Sequence, residues 1–296
     1  MDRSAFILLP CLLLACSSGP PDPRTDDTPT RGDVVVLADQ DFRSIIDAQQ
    51  KVFEHFYPKA RLRLYYLSEA DLLQAMMSDS VRLAFTACLP GAEQQRYYQG
   101  RNIRPEIVPI LVDGLVAVVS DRSARQRIRL EEIKQRLAGS SGSKILVDDM
   151  RTGVVRSLAD SLFGGDGTKL RGAAVVSGID QLMARVREDT AALGLISYAQ
   201  ISDLDDPNCV DLRRGIRLVP IAGTDTLPAV GPTQGTLADG RYPLRRRVCA
   251  VLVEGRSGLG TGFVAFVAGH KGQRIILRSG LAPHKVPSRE VMIVNE

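Results

Sequence analysis

Four places in the sequence put hydroxyl, carboxylate or glycine residues where an apolar, strand-like run gives way to a helix-like one. They are Asp39-Gln40-Asp41-Phe42, Leu67-Ser68-Glu69-Ala70, Phe85-Thr86-Ala87-Cys88, and the longer Asp148-Asp149-Met150-Arg151-Thr152-Gly153-Val154-Val155-Arg156. A helix start carries several backbone N–H groups with no partner inside the helix, together with the positive end of its dipole. Such turns can hold a small anion without spending a side chain on it. The same residue types are also ordinary helix caps, and Asp41 or Ser68 would look no different in that role. In the fourth turn Gly153 permits close backbone approach, while Arg151 or Arg156, the latter one turn into the helix, can add positive charge.

Other chemistries are poorly served. The three histidines (His55, His270, His284) are scattered and no Cys-x-x-Cys pair occurs, so neither a zinc site nor any other metal or cofactor is predicted. Gly258-Leu259-Gly260-Thr261-Gly262 lacks the strand–helix–strand context and later ribose-binding acid of a dinucleotide loop. With no Walker loop, HExxH, GxSxG or Cys–His pair, the chain is not expected to be an enzyme. A net charge of +4 with dispersed basic residues and few aromatics predicts no nucleic-acid partner. The densest basic cluster, Arg245-Arg246-Arg247, reads as a solvated strand start.

The elements that would position the four turns follow from periodicity. Short β-branched runs (Val34 to Leu37, Leu62 to Tyr66, Val81 to Phe85, Leu115 to Val119, Lys144 to Val147) alternate with helical patterns. Those cover Phe42 to Tyr57, Glu69 to Met77, Leu130 to Leu137, Thr152 to Phe163 and Ile179 to Val186. That alternation predicts α/β architecture. Ile107 to Ser120 divides into two apolar runs at Asp113-Gly114, and Gly164-Gly165 stops the helix begun at Thr152. A strand over Val248 to Val253 and helices over Leu259 to Ala268 and Lys271 to Ser279 complete the pattern, with Ala222 to Arg241 expected as a long surface loop or ribbon.

The N-terminus carries a separate signal. Ala5 to Ala15 is an eleven-residue apolar run, too short to span a bilayer but suited to an export signal. Leu13-Leu14-Ala15-Cys16 resembles a lipobox, which implies cleavage after residue 15, lipidation of Cys16 and a membrane anchor. A polar, Pro-rich tether follows over 16–32. Cys88, Cys209 and Cys249 then remain, enough for at most one disulfide and requiring none.

The segment Tyr242-Pro243-Leu244 … Gly262-Phe263 … Phe266 … Gly269-His270-Lys271-Gly272-Gln273 … Gly280-Leu281-Ala282-Pro283 resembles the C-terminal signature of PstS-type phosphate-transport receptors. Asp113-Gly114-Leu115-Val116-Ala117-Val118-Val119 is similar to that family's lobe-crossing strand, and Gly194-Leu195-Ile196-Ser197-Tyr198 to a short strand end. The resemblance implies a type II periplasmic-binding fold: two α/β lobes joined by a two-strand hinge, lobe 1 from 33–112 plus 220–296 and lobe 2 from 113–219. It also implies capture of phosphate or a similar oxyanion between the lobes, for ABC-type uptake by a monomeric envelope protein working with a permease. Its ligand positions fall on Asp41, Phe42, Ser68, Thr86, Thr152, Gly153, Val154 and Arg156.

The chain departs from that pattern twice. An arginine expected near Cys88 is absent, and a hydroxyl expected at the third position of the fourth turn is Val154. Two acids in the first turn would repel a dianion unless one accepts a proton from a protonated phosphate oxygen. These departures motivate an alternative, an envelope binding or assembly module that no longer takes phosphate. The receptor reading requires amide-rich turns facing one another across a cleft that is not acidic.

Overall fold

The computed structural model describes residues 26–78, 80–140 and 144–286. The export segment and Cys16 lie outside the described residues. The first part of the chain builds parallel strands with helical returns. These are β1 (Gly32–Asp39), α1 (Arg43–Phe56), β2 (Ala60–Leu67), α2 (Glu69–Ala75), β3 (Leu83–Thr86) and α3 (Ala92–Gly100). Helix α1 forms because Ile45, Ile46, Gln49 and Phe53 recur on one buried face. A 3-10 turn, Gln40–Phe42, precedes it, so Asp39 rather than Asp41 is the capping residue: its side chain accepts from the Asp41 N–H.

Strand β4 (Glu106–Ser120) then crosses the molecule. The break expected at Asp113-Gly114 does not occur. Instead the strand exchanges partners there. A Cβ on Gly114 would lie 2.9 Å from Leu237 and 3.1 Å from the Tyr242 ring, so the glycine admits that packing without ending the strand.

Beyond the crossing come β5 (Ile128–Arg129), α4 (Leu130–Leu137), β6 (Ile145–Val147), α5 (Gly153–Phe163), β7 (Ala173–Val175), α6 (Ile179–Glu188) and β8 (Gly194–Ser197). Helix α5 stops at Gly164, which takes the left-handed conformation at φ 65°, as the Gly-Gly pair predicts. After a 3-10 turn at Tyr198–Gln200 follow α7 (Pro207–Arg213), β9 (Ile216–Val219) and β10 (Ile221–Ala222). The chain returns through α8 (Gln234–Ala238), β11 (Arg245–Leu252), α9 (Leu259–Ala268), α10 (His270–Arg278) and β12 (Ala282–Pro283). The segment expected as a loop over Ala222 to Arg241 therefore contains a short helix, closed by a reciprocal Thr233–Thr236 capping pair.

The strand order is β2-β1-β3-β11-β4-β8-β6-β7, with β12 and β9 also on β4. Residues 106–114 of β4 pair with β11, while Leu115–Val118 pair with β8 and Ala117–Ser120 with β9. The result is a two-lobed α/β architecture with β4 running through both lobes. Cys88, Cys209 and Cys249 are buried free thiols. Part of the segment expected as a tether is docked. Asp27 accepts from the Leu259 N–H at 2.9 Å and pairs with Arg82 and Arg256, so it supplies the start of α9 with an anionic cap.

Candidate functional site

Strand β11 carries the centre of the site. Its first three residues alternate exposed, buried, exposed, because successive side chains of a strand point to opposite faces. Arg246 is thereby turned inward, while Arg245 and Arg247 face solvent. The expectation that all three form a solvated edge is corrected for Arg246. Its Nε donates to Asp113 at 2.9 Å and its Nη2 to Asp41 at 2.7 Å, and the Phe42 ring lies 5.0 Å from the guanidinium. Asp113 also accepts from the Ser197 hydroxyl at 2.8 Å and the Ala199 N–H at 3.0 Å, and Asp41 from the Gln200 amide at 3.2 Å. One arginine thus ties the 3-10 turn before α1, the partner-exchange point of β4 and the end of β8 together.

Its remaining nitrogen, Nη1, is buried without a partner, as are Asp39 Oδ2 and Glu69 Oε2. All three atoms' side chains meet at one place. A Cβ on Gly153 would lie 2.4 Å from Asp39 Oδ2, 2.8 Å from Arg246 Nη1 and 3.3 Å from Glu69 Oε1. Gly153 is the first residue of α5, whose first helical bond runs from the Arg156 N–H to the Thr152 carbonyl. The Thr152 hydroxyl donates instead to the Asp149 carbonyl, and no side chain caps the helix. The amides of the first turn are therefore uncapped, and Gly153 lies beside two carboxyl groups and a guanidinium from the facing lobe.

Burial dominates the electrostatics. Desolvation, then the Asp41 charge, holds Asp39 well above the ordinary carboxylate range, although Arg246 pulls it back. Asp41 and Glu69 are raised for the same first reason, and each is likewise lowered by Arg246. Asp148, at the end of β6, is pushed up to about 6 by burial and then by Asp41. Burial raises Cys88 to about 12, with the Glu69 charge next in effect. Such groups favour their neutral, proton-bearing forms.

The hydroxyls expected to hold ligand are already engaged. Ser68 caps α2 and donates to Asp71 at 2.6 Å; Thr86 donates to Glu69 Oε1 at 3.1 Å while accepting from the Cys88 N–H at 2.9 Å. The Asp41 amide is taken by Asp39. Phe42 and Val154 are buried apolar walls, whereas Arg156 is exposed at the rim near Glu69 and Cys88. The first, second and fourth turns meet at Gly153 and the third joins them through Thr86 and Glu69, but the side chains gathered there are Asp39, Glu69 and Arg246, with Asp41 and Asp113 on the arginine, and the expectation of a non-acidic cleft is corrected. Direct contacts bridge the two sides: the Ala70 N–H donates to the Arg151 carbonyl at 3.1 Å, Arg151 pairs with Asp71, and the Ser44 hydroxyl donates to Asp206 at 2.5 Å. Next to Asp41 and Asp148 lies a cavity of about 740 Å³ whose wall includes Asp180, Asp203 and Asp206.

The chain matches no family model, and no curated protein matches it in sequence. Solved structures do share its architecture. A Clostridium perfringens chain with bound phosphate, described as a phosphate ABC transporter substrate-binding protein, superposes with a TM-score of 0.70 at 16% identity, over 86% of this chain and all of that one. An ABC-type phosphate transport receptor from Vibrio cholerae gives 0.62 at 12% identity, over 85% of this chain and all of that one. The substrate-binding domain described for a Clostridium difficile molybdenum ABC transporter gives 0.51 at 14% identity, over 86% and 99%. At these identities the likeness establishes the fold: this chain has the periplasmic-binding-protein-like architecture of two α/β lobes.

Proposed function

We propose that the protein is an extracytoplasmic solute receptor that closes its lobes, 33–112 plus 220–296 and 113–219, on phosphate or a similar oxyanion, with Arg246 and the raised proton affinity of Asp39, Asp41 and Glu69 offsetting the acidic lining that the receptor reading did not expect. The monomer then delivers the ion to an ABC-type permease without chemical change. One observation carries the reading: Asp39 Oδ2 and Arg246 Nη1, both buried without partners, meet beside Glu69 at the uncapped start of an eleven-residue helix, between two lobes. Arg246 Nη1 and the amides of Gly153, Val154 and Val155 are the donors a dehydrated oxyanion needs. Arg156 adds charge at the rim. Asp41, Phe42, Ser68, Thr86 and Thr152 position these donors rather than touch the ion, since their own polar groups or faces are spent on Arg246, Asp39, Asp71, Glu69 and Asp149. Because Gly153 and Asp39 share such close quarters, entry of an ion requires the lobes to part, which fits capture by hinge closure.

Titration calorimetry of the full chain with phosphate, sulfate, arsenate and molybdate tests this. Binding of at least one at micromolar or tighter affinity is expected. Gly153→Ala should weaken it at least tenfold, because the new methyl group would collide with Asp39 and Arg246. No heat with any of the four ions would sink the reading and favour an envelope module that has lost its ligand. The lipid anchor is a separate proposal resting on the lipobox-like Leu13-Leu14-Ala15-Cys16. A labelled fatty acid fed to expressing cells is expected to mark the wild type and not Cys16→Ala; an unlabelled wild type removes the anchor.

A further inference from the structure

The glycine run Gly258-Leu259-Gly260-Thr261-Gly262 takes no part in the anion site, yet each of its glycines has a close neighbour. A Cβ on Gly258 would lie 2.9 Å from Asp27 Oδ1, one on Gly260 2.6 Å from Glu254 Oε1, and one on Gly262 1.8 Å from the Pro29 carbonyl oxygen. Two of the three thus admit the segment that precedes β1. The third admits the Glu254 carboxylate, which accepts from the Gly260 and Thr261 N–H groups at 3.1 and 2.9 Å. Asp27 completes the seat by accepting from the Leu259 N–H and pairing with Arg82 and Arg256. The seat lies at the pole of lobe 1 remote from the cleft, where β1 begins and β11 ends.

Arg82 and Arg256, the two partners of Asp27, also line a cavity of about 540 Å³, together with Tyr97, Tyr98, Ile103 and Glu254. The described chain therefore starts, at Asp26, beside the rim of this cavity. The Tyr98 hydroxyl is committed to the Met76 carbonyl at 3.0 Å, its ring centroid lies 5.4 Å from that of Tyr97, and the Arg101 guanidinium stands 3.9 Å from the Tyr97 ring. One wall is thus an aromatic pair with arginines around it. The next residues toward the N-terminus, 19–25, read Gly-Pro-Pro-Asp-Pro-Arg-Thr. Prolines at 20, 21 and 23 favour the extended polyproline II form. Segments of that kind dock in aromatic-lined grooves at low entropic cost. Asp22 carries the charge that Arg82, Arg101 and Arg256 complement, while Arg24 lies next to Asp26 and Asp27 in the chain.

We propose that this cavity is the docking surface for the chain's own Pro-rich segment, residues 19–25, with Pro20, Pro21 and Pro23 packed on the tyrosine wall and Asp22 set against the arginines. The docked stretch then continues without a break into the Asp27 seat and β1. This assignment does not depend on the anion site. Joined to the lipid-anchor reading, on which this one consequence rests, it shortens the connection to the membrane. Only Ser17 and Ser18 separate Cys16 from the docked segment, about 10 Å of extended chain in place of about 35 Å for 16–25. Lobe 1 is held near the bilayer by the pole remote from the cleft, and lobe 2 is left to move in closure.

The chain contains no tryptophan, so Tyr97→Trp places a single fluorescent reporter in the cavity wall. In the full chain, quenching of that reporter by acrylamide is expected to rise roughly twofold when Pro20→Gly, Pro21→Gly and Pro23→Gly are added together, because the segment then undocks. Circular dichroism checks that the fold is kept. A second measurement leaves the tyrosine wall native for comparison. Trypsin cleavage after Arg24 is expected to be about tenfold faster in Tyr97→Ala than in wild type, since cleavage follows the undocked population. Tyr97 is 73 positions from Arg24 in the sequence, so the substitution does not alter the bond that trypsin reads. Acrylamide quenching that is the same with and without the three prolines overturns the proposal and leaves the cavity to a small molecule or to another protein. Equal trypsin rates in wild type and Tyr97→Ala overturn it as well. Neither readout needs lipid or anion, so failure here is distinct from failure of Cys16 labelling or of oxyanion binding.

Discussion

Arg246→Ala is expected to destabilise the protein by about 3–5 kcal/mol at pH 7, the range for removing one partner of a buried ion pair. Asp41 and Asp113, both fully buried, would lose their guanidinium bonds of 2.7 and 2.9 Å. The loss concerns more than two contacts. Arg246 joins the 3-10 turn before α1 to the crossing strand and, through Asp41 and Asp113, to the Tyr198–Gln200 turn, so its removal loosens the seam between lobes. Arg246→Lys should recover only part of the stability, because one ammonium cannot present the planar fork that bridges two carboxylates while leaving a nitrogen for the site. The loss should shrink when the pH is lowered to 5, since the stranded Asp41 carboxyl, already raised by burial, can then take up a proton. Urea unfolding of the three proteins at pH 7 and pH 5 measures this. A loss under 1 kcal/mol at pH 7 would show that the pairs contribute specificity and not stability.

The second large effect is an inverted pH profile for the protein alone. Asp148 is ordinary at 3.8 when unfolded and about 6 when folded, raised by burial and then by Asp41. A raised folded value means the native state holds its proton more tightly. Its stabilising contribution is complete below pH 3.8 and is lost as the pH rises through about 6. That interval corresponds to about 3 kcal/mol for Asp148. Asp39, Asp41 and Glu69 are shifted in the same direction and deepen the decline. In anion-free buffer the melting temperature is therefore expected to fall from pH 5 to pH 7.5, and Asp148→Asn should flatten part of the slope. A melting temperature that climbs over this range would mean that the cluster is ionised at little cost. The two effects share a cause. Arg246 supplies one buried positive charge to a site that holds several acids, and protons make up the difference.

Much of the scaffold was legible because the forces that set it are local. Helix α1 follows from Ile45, Ile46 and Phe53 on one face, and α5 ends at Gly164 because only a residue tolerant of positive φ fits there. The capping roles of Ser68 and of the first turn depend on partners two or three residues away, at Asp71 and Asp41. The arginine triplet was partly legible as well. Strand alternation turns Arg246 opposite to its neighbours, and a buried arginine needs carboxylates. What the triplet could not reveal is which carboxylates, because Asp113 and Asp41 lie 133 and 205 residues away in the chain.

The hydroxyl assignments show the complementary limit. Thr86 stands at a turn suited to ligand contact, yet its proton goes to Glu69, a partner supplied by another helix and visible only after β1, β2 and β3 align their ends. The sequence by itself determined the alternating α/β elements, the turns at their ends and the glycine that opens α5, since each depends on side-chain periodicity and backbone sterics within a few residues. Only the tertiary structure decided that the facing turns meet over acids held by a single arginine. Charge balance in a buried site is a sum over distant segments, and no short stretch of chain contains its terms.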